Sequence, residues 1–145
     1  MVPLTLINPK DMRISRRVNA LIDGGCSGSC LTVRITDILQ LSYVRHLFST
    51  SVFGVEEAIK MEGGMGTVLI RSDDGFINMP IRIQILPNPI PNLLLPDWNE
   101  LKHFWPHFSG VEFPQLANPL VIDIVIGQDL IGLTQIYLEL RLTIP

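Results

Sequence analysis

Along this 145-residue chain, short apolar runs and stretches that alternate apolar and polar with a period of two both read as strands, the alternating ones with one buried face. The clearest run sets Ile77, Met79, Ile81, Ile83 and Ile85 against Asn78, Pro80, Arg82 and Gln84. Pro80 has no backbone donor, which predicts a place near a sheet edge. Pro3 to Ile7 reads as a short first strand, Asn8-Pro9-Lys10-Asp11 as a turn, and Arg13 to Ile22 as the returning strand. Ile35, Ile38 and Leu39 have helical spacing, so residues 31–41 predict a short helix. Residues 47–71 read as a long hairpin. It holds polar Glu56-Glu57-Ala58, glycine-rich Met61 to Gly66, and a strand resuming from Thr67 to Ile70. Asp73-Asp74-Gly75 is a turn. Val121 to Ile126 is a buried strand, Gln128 to Leu133 one or two helical turns, and Gln135 to Ile144 a last alternating strand. The pattern predicts one all-β domain over residues 1–145, closed like a barrel, with one or two short helices.

One stretch breaks the alternation. Residues 87–96 carry four prolines and must be largely extended. Asp97 then suits the cap of a helix running to about Phe104. Trp98, Phe104, Trp105 and Phe108 follow closely and predict a small satellite core, with a peptide-binding wall as the alternative.

Composition adds limits. Hydrophobic residues make up 47% of the chain, charged residues 17%, and mean hydropathy is +0.34, which suggests that a partner buries some surface. No apolar run reaches the ~18 residues of a membrane span, and Met1-Val2-Pro3 does not begin a secretory signal. The net charge of −3 offers no general attraction to nucleic acid, and Arg13, Arg16 and Arg17 read as a solvated turn. Two cysteines, Cys26 and Cys30, make no disulfide framework and read best as small buried thiols. They fit an intracellular, most simply cytoplasmic, setting. No metal or cofactor is expected. Pro106 breaks the helix that would align His103 with His107, and Gly24-Gly25-Cys26-Ser27-Gly28 does not fit a dinucleotide loop. Ser29 stands where a nucleophile elbow would need its last glycine.

The strongest chemical signal is Val18 to Ile22 ending in Asp23. A carboxylate at the end of a buried strand is poorly solvated. It needs a metal, a cation or a second acid sharing a proton. Gly24 and Gly25 let the backbone turn tightly and let a ligand or another chain approach.

The pieces Ala20-Leu21-Ile22-Asp23-x-Gly25, Phe53-Gly54, Leu116-Ala117-Asn118-Pro119 and Ile122-Asp123-Ile124-Val125-Ile126-Gly127-Gln128-Asp129 span most of the chain. In order and spacing they resemble the retropepsin-like aspartic protease domain of Pao/Bel-type LTR retrotransposons. The resemblance implies an aspartic endopeptidase acting on a polypeptide, with Asp23 as the catalytic acid. It implies that Gly25 frames the loop and that Ser27 and Gly28 line the groove. Residues 47–71 become a flap in which Phe53, Gly54 and Val55 approach the substrate, and Gly127, after Ile126, packs beneath Asp23. An insertion lies at about 87–119. Such chemistry needs two carboxyls, one to activate water and one to donate to the carbonyl oxygen. Only one Asp-x-Gly follows an apolar strand here, so the second acid must come from a second copy in a C2 homodimer. The chain termini of the family interleave between its subunits. One departure stands out: Gly24 replaces the family's Ser or Thr, whose hydroxyl reaches across the dimer axis. The alternative reading is therefore a catalytically weak or silent dimerisation or peptide-binding module on the same scaffold.

Overall fold

The computed structural model describes residues 1–50, 59–87, 96–130 and 132. They form a sheet-dominated structure with little helix. The strands are β1 (Val2–Asn8), β2 (Asp11–Ile22), β3 (Cys30–Thr32), β4 (Val44–Thr50), β5 (Ile59–Ser72), β6 (Asn78–Leu86) and β7 (Ile122–Ile126). Two short helices, α1 (Val33–Ile38) and α2 (Trp98–Leu101), and three 3-10 turns complete the fold. Among the described residues no helix is long and apolar enough to cross a membrane.

The seven strands form one mixed sheet in the order β1-β2-β7-β3-β6-β5-β4. β1 also pairs with β5, from Leu4↔Ser72 to Ile7↔Leu69, so the order turns back on itself. β4 is left outside that circuit, paired to β5 by Val44↔Met65 through Thr50↔Ile59. The result is a curled mixed sheet rather than the even closed barrel expected. Leu6, Val18, Leu31, Ile35, Leu39, Val68, Ile83 and Ile124 fill the space enclosed by the curl. A smaller cluster of Cys30, Leu86, Ile122 and Val125 lies on the other side.

Several sequence expectations change for visible reasons. β6 as a whole is an interior strand, but Pro80 sits on the part of it that is open on one side, as its missing donor predicts. It pairs with Leu69 on β5, while β3 covers β6 only at Gln84–Leu86, so the missing donor faces no strand. In α1, Ile35 and Leu39 are buried but Ile38 is exposed, and Thr36 takes the inner place by donating its hydroxyl to the Val33 carbonyl at 2.7 Å. The glycine-rich Met61 to Gly66 lies within β5 and not before it. A Cβ on Gly64 would collide with the Tyr43 ring and the Val44 carbonyl, so glycine is what lets that ring lie on the strand. Arg13, Arg16 and Arg17 belong to β2, not a turn. Arg13 pairs with Asp11, Arg17 with Asp73, and Arg16 donates to the Asn118 carbonyl.

The aromatic group after Asp97 is no satellite core. Asp97 does cap α2, accepting from the Asn99 and Glu100 amides. Trp98, Trp105, Phe108 and Phe113 then pack ring on ring, with centroids 5.6–6.3 Å apart. Yet Trp98 and Trp105 are about two-fifths exposed and Phe104 is more so. The rest of the proline-rich stretch (88–95), the flap residues Phe53, Gly54 and Val55, and the last strand expected at Gln135 to Ile144 lie outside the described residues.

Candidate active site

β2 runs parallel to β7, so both end at the same edge, and β3 starts there antiparallel on β7's other side. The segment from Asp23 to Ser29 must therefore cross over the end of β7 to join β2 to β3. This crossing is the candidate site. Gly127, just beyond β7, lies directly under it. A Cβ there would sit 2.7 Å from the Cys26 carbonyl oxygen and 2.9 Å from the Gly28 carbonyl carbon and oxygen. Real Cβ atoms do not approach backbone so closely, so glycine is required at that position.

Hydrogen bonds fasten the crossing from end to end. The Asp23 amide donates to the Ile126 carbonyl (3.0 Å), and the Cys26 amide donates to the Asp23 carbonyl (3.1 Å). Below, the Gln128 amide donates to the Cys26 carbonyl (2.8 Å), and Gln128 Nε2 donates to the Gly24 carbonyl (2.7 Å). Ser29 is buried and links the two segments: its Oγ accepts from the Gly127 amide (2.9 Å) and donates to Asp129 Oδ1 (2.6 Å). Asp129 Oδ1 also accepts from the Ser29 amide at 2.8 Å. The floor of the crossing is thus bonded and packed, while Asp23, Gly24, Gly25 and Ser27 are exposed above it. Asp23 Oδ1 accepts from the Gly25 amide at 2.9 Å, an arrangement that orients the carboxylate. Nothing lies within 4 Å of where a Gly28 side chain would start, so the crossing is open there as well.

A polar residue inside β2 sets the approach of β7. Asn19 is fully buried, and its side chain clamps the segment leading into that strand. Nδ2 donates to the carbonyls of Ala117 (3.0 Å) and Val121 (3.1 Å), and Oδ1 accepts from the Ala117 amide (2.6 Å). That segment contains the cis peptide bond Asn118–Pro119. Each orphaned buried group costs ~1–3 kcal/mol. Asn19→Ala is therefore expected to lower stability by about 2–4 kcal/mol, read by urea denaturation. A second buried polar group, Asp123 on β7, is paired with half-exposed Arg34 of α1. Sequence reasoning passed over Asn19, Ser29 and Arg34 as contributors, although a lone Asn in an apolar strand is a usable signal.

The two cysteines are free, Cys30 buried in β3 and Cys26 half-buried in the crossing. Cys26 Sγ donates to the Gly28 carbonyl at 3.0 Å. Burial, with a smaller contribution from neighbouring Cys26, pushes the Cys30 thiol up from 9.0 to about 12. The folded state therefore holds this proton more tightly than the unfolded chain. Its stabilisation is whole below about pH 9 and is lost as pH rises towards 12. Urea unfolding at a series of pH values should show stability falling about 1.4 kcal/mol per pH unit more steeply than in Cys30→Ala over that window.

His103 and His107, read as two surface histidines, are exposed on separate 3-10 turns. No protein-family model, curated protein or solved structure matches the chain.

Proposed function

We propose that the chain is one subunit of a homodimeric aspartic endopeptidase, of the retropepsin type encoded by Pao/Bel-type LTR retrotransposons. The observation that carries this reading is an exposed carboxylate, Asp23, raised on a braced crossing of small residues at the mouth of a curled sheet. In the dimer the Asp23 side chains of two copies face each other across a twofold axis. Like charges so close cannot both ionise, so the pair shares one proton. The ionised carboxyl takes a proton from water, and the water oxygen attacks the peptide carbonyl carbon. The other carboxyl gives its proton to the carbonyl oxygen. Collapse of the tetrahedral intermediate breaks the C–N bond, with the amine leaving protonated. Ser27 and Gly28 line the groove, and Phe53, Gly54 and Val55 cover it from the flap. No metal or cofactor takes part. The free cysteines suit a reducing, cytoplasmic setting.

A second reading is favoured by one residue. Gly24 lacks the hydroxyl that would cross the axis, and only its carbonyl is fastened, by Gln128. On this reading the same dimer binds peptides without cutting them. Incubating the chain with a peptide library from pH 4 to 7, beside a sedimentation measurement of its mass, separates the two. The protease reading expects cleavage by a dimer, blocked by a peptide carrying a tetrahedral hydroxyl in place of the scissile carbonyl. A verified dimer that cleaves nothing favours the silent module, and a monomer removes both.

A further inference from the structure

An open concavity lies at the far end of the β1–β2 hairpin. β2 carries Asp23 just past its C-terminal end, whereas this cavity opens beside the turn before its N-terminal end. It measures about 390 Å³ and is walled by three separate pieces of chain: the turn at Asn8–Lys10, residues Leu41–Val44, and the β5–β6 ladder around Thr67 and Arg82.

Two features make it a built site. The first is rigidity. Asn8 is buried and ties two of the walls together: its Nδ2 donates to the Leu39 carbonyl at 2.8 Å, and its Oδ1 accepts from the Lys10 amide at 2.8 Å. Gln40, between those walls, is held at φ 53°, and Tyr43 lies against the glycines of β5. The second is charge. Lys10 and Arg82 enter from different elements, and no carboxylate lines the cavity. Among the described residues neither cation has an acidic partner; Asp11, next in sequence to Lys10, is engaged by Arg13 through both oxygens. On a chain of net charge −3, two unpaired cations sharing one walled cavity are a local exception. Tyr43, Leu41 and Met65 add apolar lining to the same cavity.

We propose that this cavity binds a small oxyanion carried on a flat apolar body, such as an aryl phosphate or aryl carboxylate. Lys10 and Arg82 neutralise the anion, and Tyr43 packs on the ring. The proposal is independent of the protease reading.

The test is titration of the ¹⁵N-labelled chain with phenyl phosphate and, separately, benzoate. Expected are saturable shifts at the amides of Lys10, Tyr43 and Thr67 with at least one probe, weakened by added salt. The tighter probe identifies the headgroup. Lys10→Gln and Arg82→Gln should each weaken binding about tenfold and together abolish it, while Asp23→Asn leaves it unchanged. Both variants are at exposed positions, and their amide spectra report directly whether the fold is kept. No saturable shift with either probe would overturn the proposal. So would binding that the double variant retains, or shifts centred on the Asp23 crossing.

Discussion

Asp23→Asn is expected to abolish peptide cleavage, by about 10³-fold or more, while the chain still folds and still dimerises. An amide can neither take the proton from water nor give one to the carbonyl oxygen, so both steps of the acid–base cycle stop. The fold does not depend on the charge. The side chain is exposed, and its one described contact, from the Gly25 amide to Oδ1, can be made equally by an amide oxygen. Across the twofold axis an amide pair offers a donor and an acceptor where the shared-proton pair did, so the dimer should stay assembled. Peptide hydrolysis measured beside sedimentation and urea midpoints checks all three parts. Loss of activity with loss of folding would point to a structural carboxylate instead.

Gly127→Ala should have the next largest effect. Its Cβ would meet backbone at Cys26 and Gly28, and backbone cannot swing aside as a long side chain can. The crossing must lift, which pulls on the Gln128-to-Cys26 and Gly127-to-Ser29 hydrogen bonds together. Overpacking of this kind costs about 1–3 kcal/mol. A displacement near 1 Å at a reacting group costs about 10²-fold in rate. The variant should therefore lose activity and stability together, by amounts of similar size. Gly28→Ala serves as the control, because a side chain there meets nothing within 4 Å. It should leave the urea midpoint close to that of the parent. Equal stability losses in the two variants would contradict the picture of a loop resting on β7.

Much of this architecture is legible along the chain because strands announce themselves by alternation. β6 falls where Ile81, Ile83 and Ile85 alternate with polar residues, while β7 and the end of β2 fall on the apolar runs around Ile124 and Val18. Asp23 is legible because an acid and two glycines interrupt an apolar run. What supports it is harder to read. Ser29 meets Asp129, and Asn19 meets Ala117, across about a hundred residues of sequence. No local pattern joins them. Ser29 looks like a break in a different motif, and Asn19 like a misplaced polar residue. Gly63, Gly64 and Gly66 look like a loop because glycine disfavours strands; it takes the Tyr43 ring over Gly64 and the Ile85 side chain over Gly66 to explain two of them. Pro80 argues for an edge by its missing donor, and β6 is covered on both sides only at Gln84–Leu86, so the signal holds for its own position but not for the whole strand. The aromatic residues after Asp97 read as core by composition, but they pack ring on ring at the surface, with Trp98 about two-fifths exposed and Phe104 three-quarters.

Mixing wild-type and Asp23→Asn subunits at fixed total concentration, well above that needed for assembly, probes the shared site most directly. If each catalytic centre draws one Asp23 from either chain, a mixed pair is dead and the rate follows the square of the wild-type fraction: about one quarter of full activity in an equal mixture. A rate that falls in simple proportion, to about one half, would mean that each chain works alone and would contradict the account.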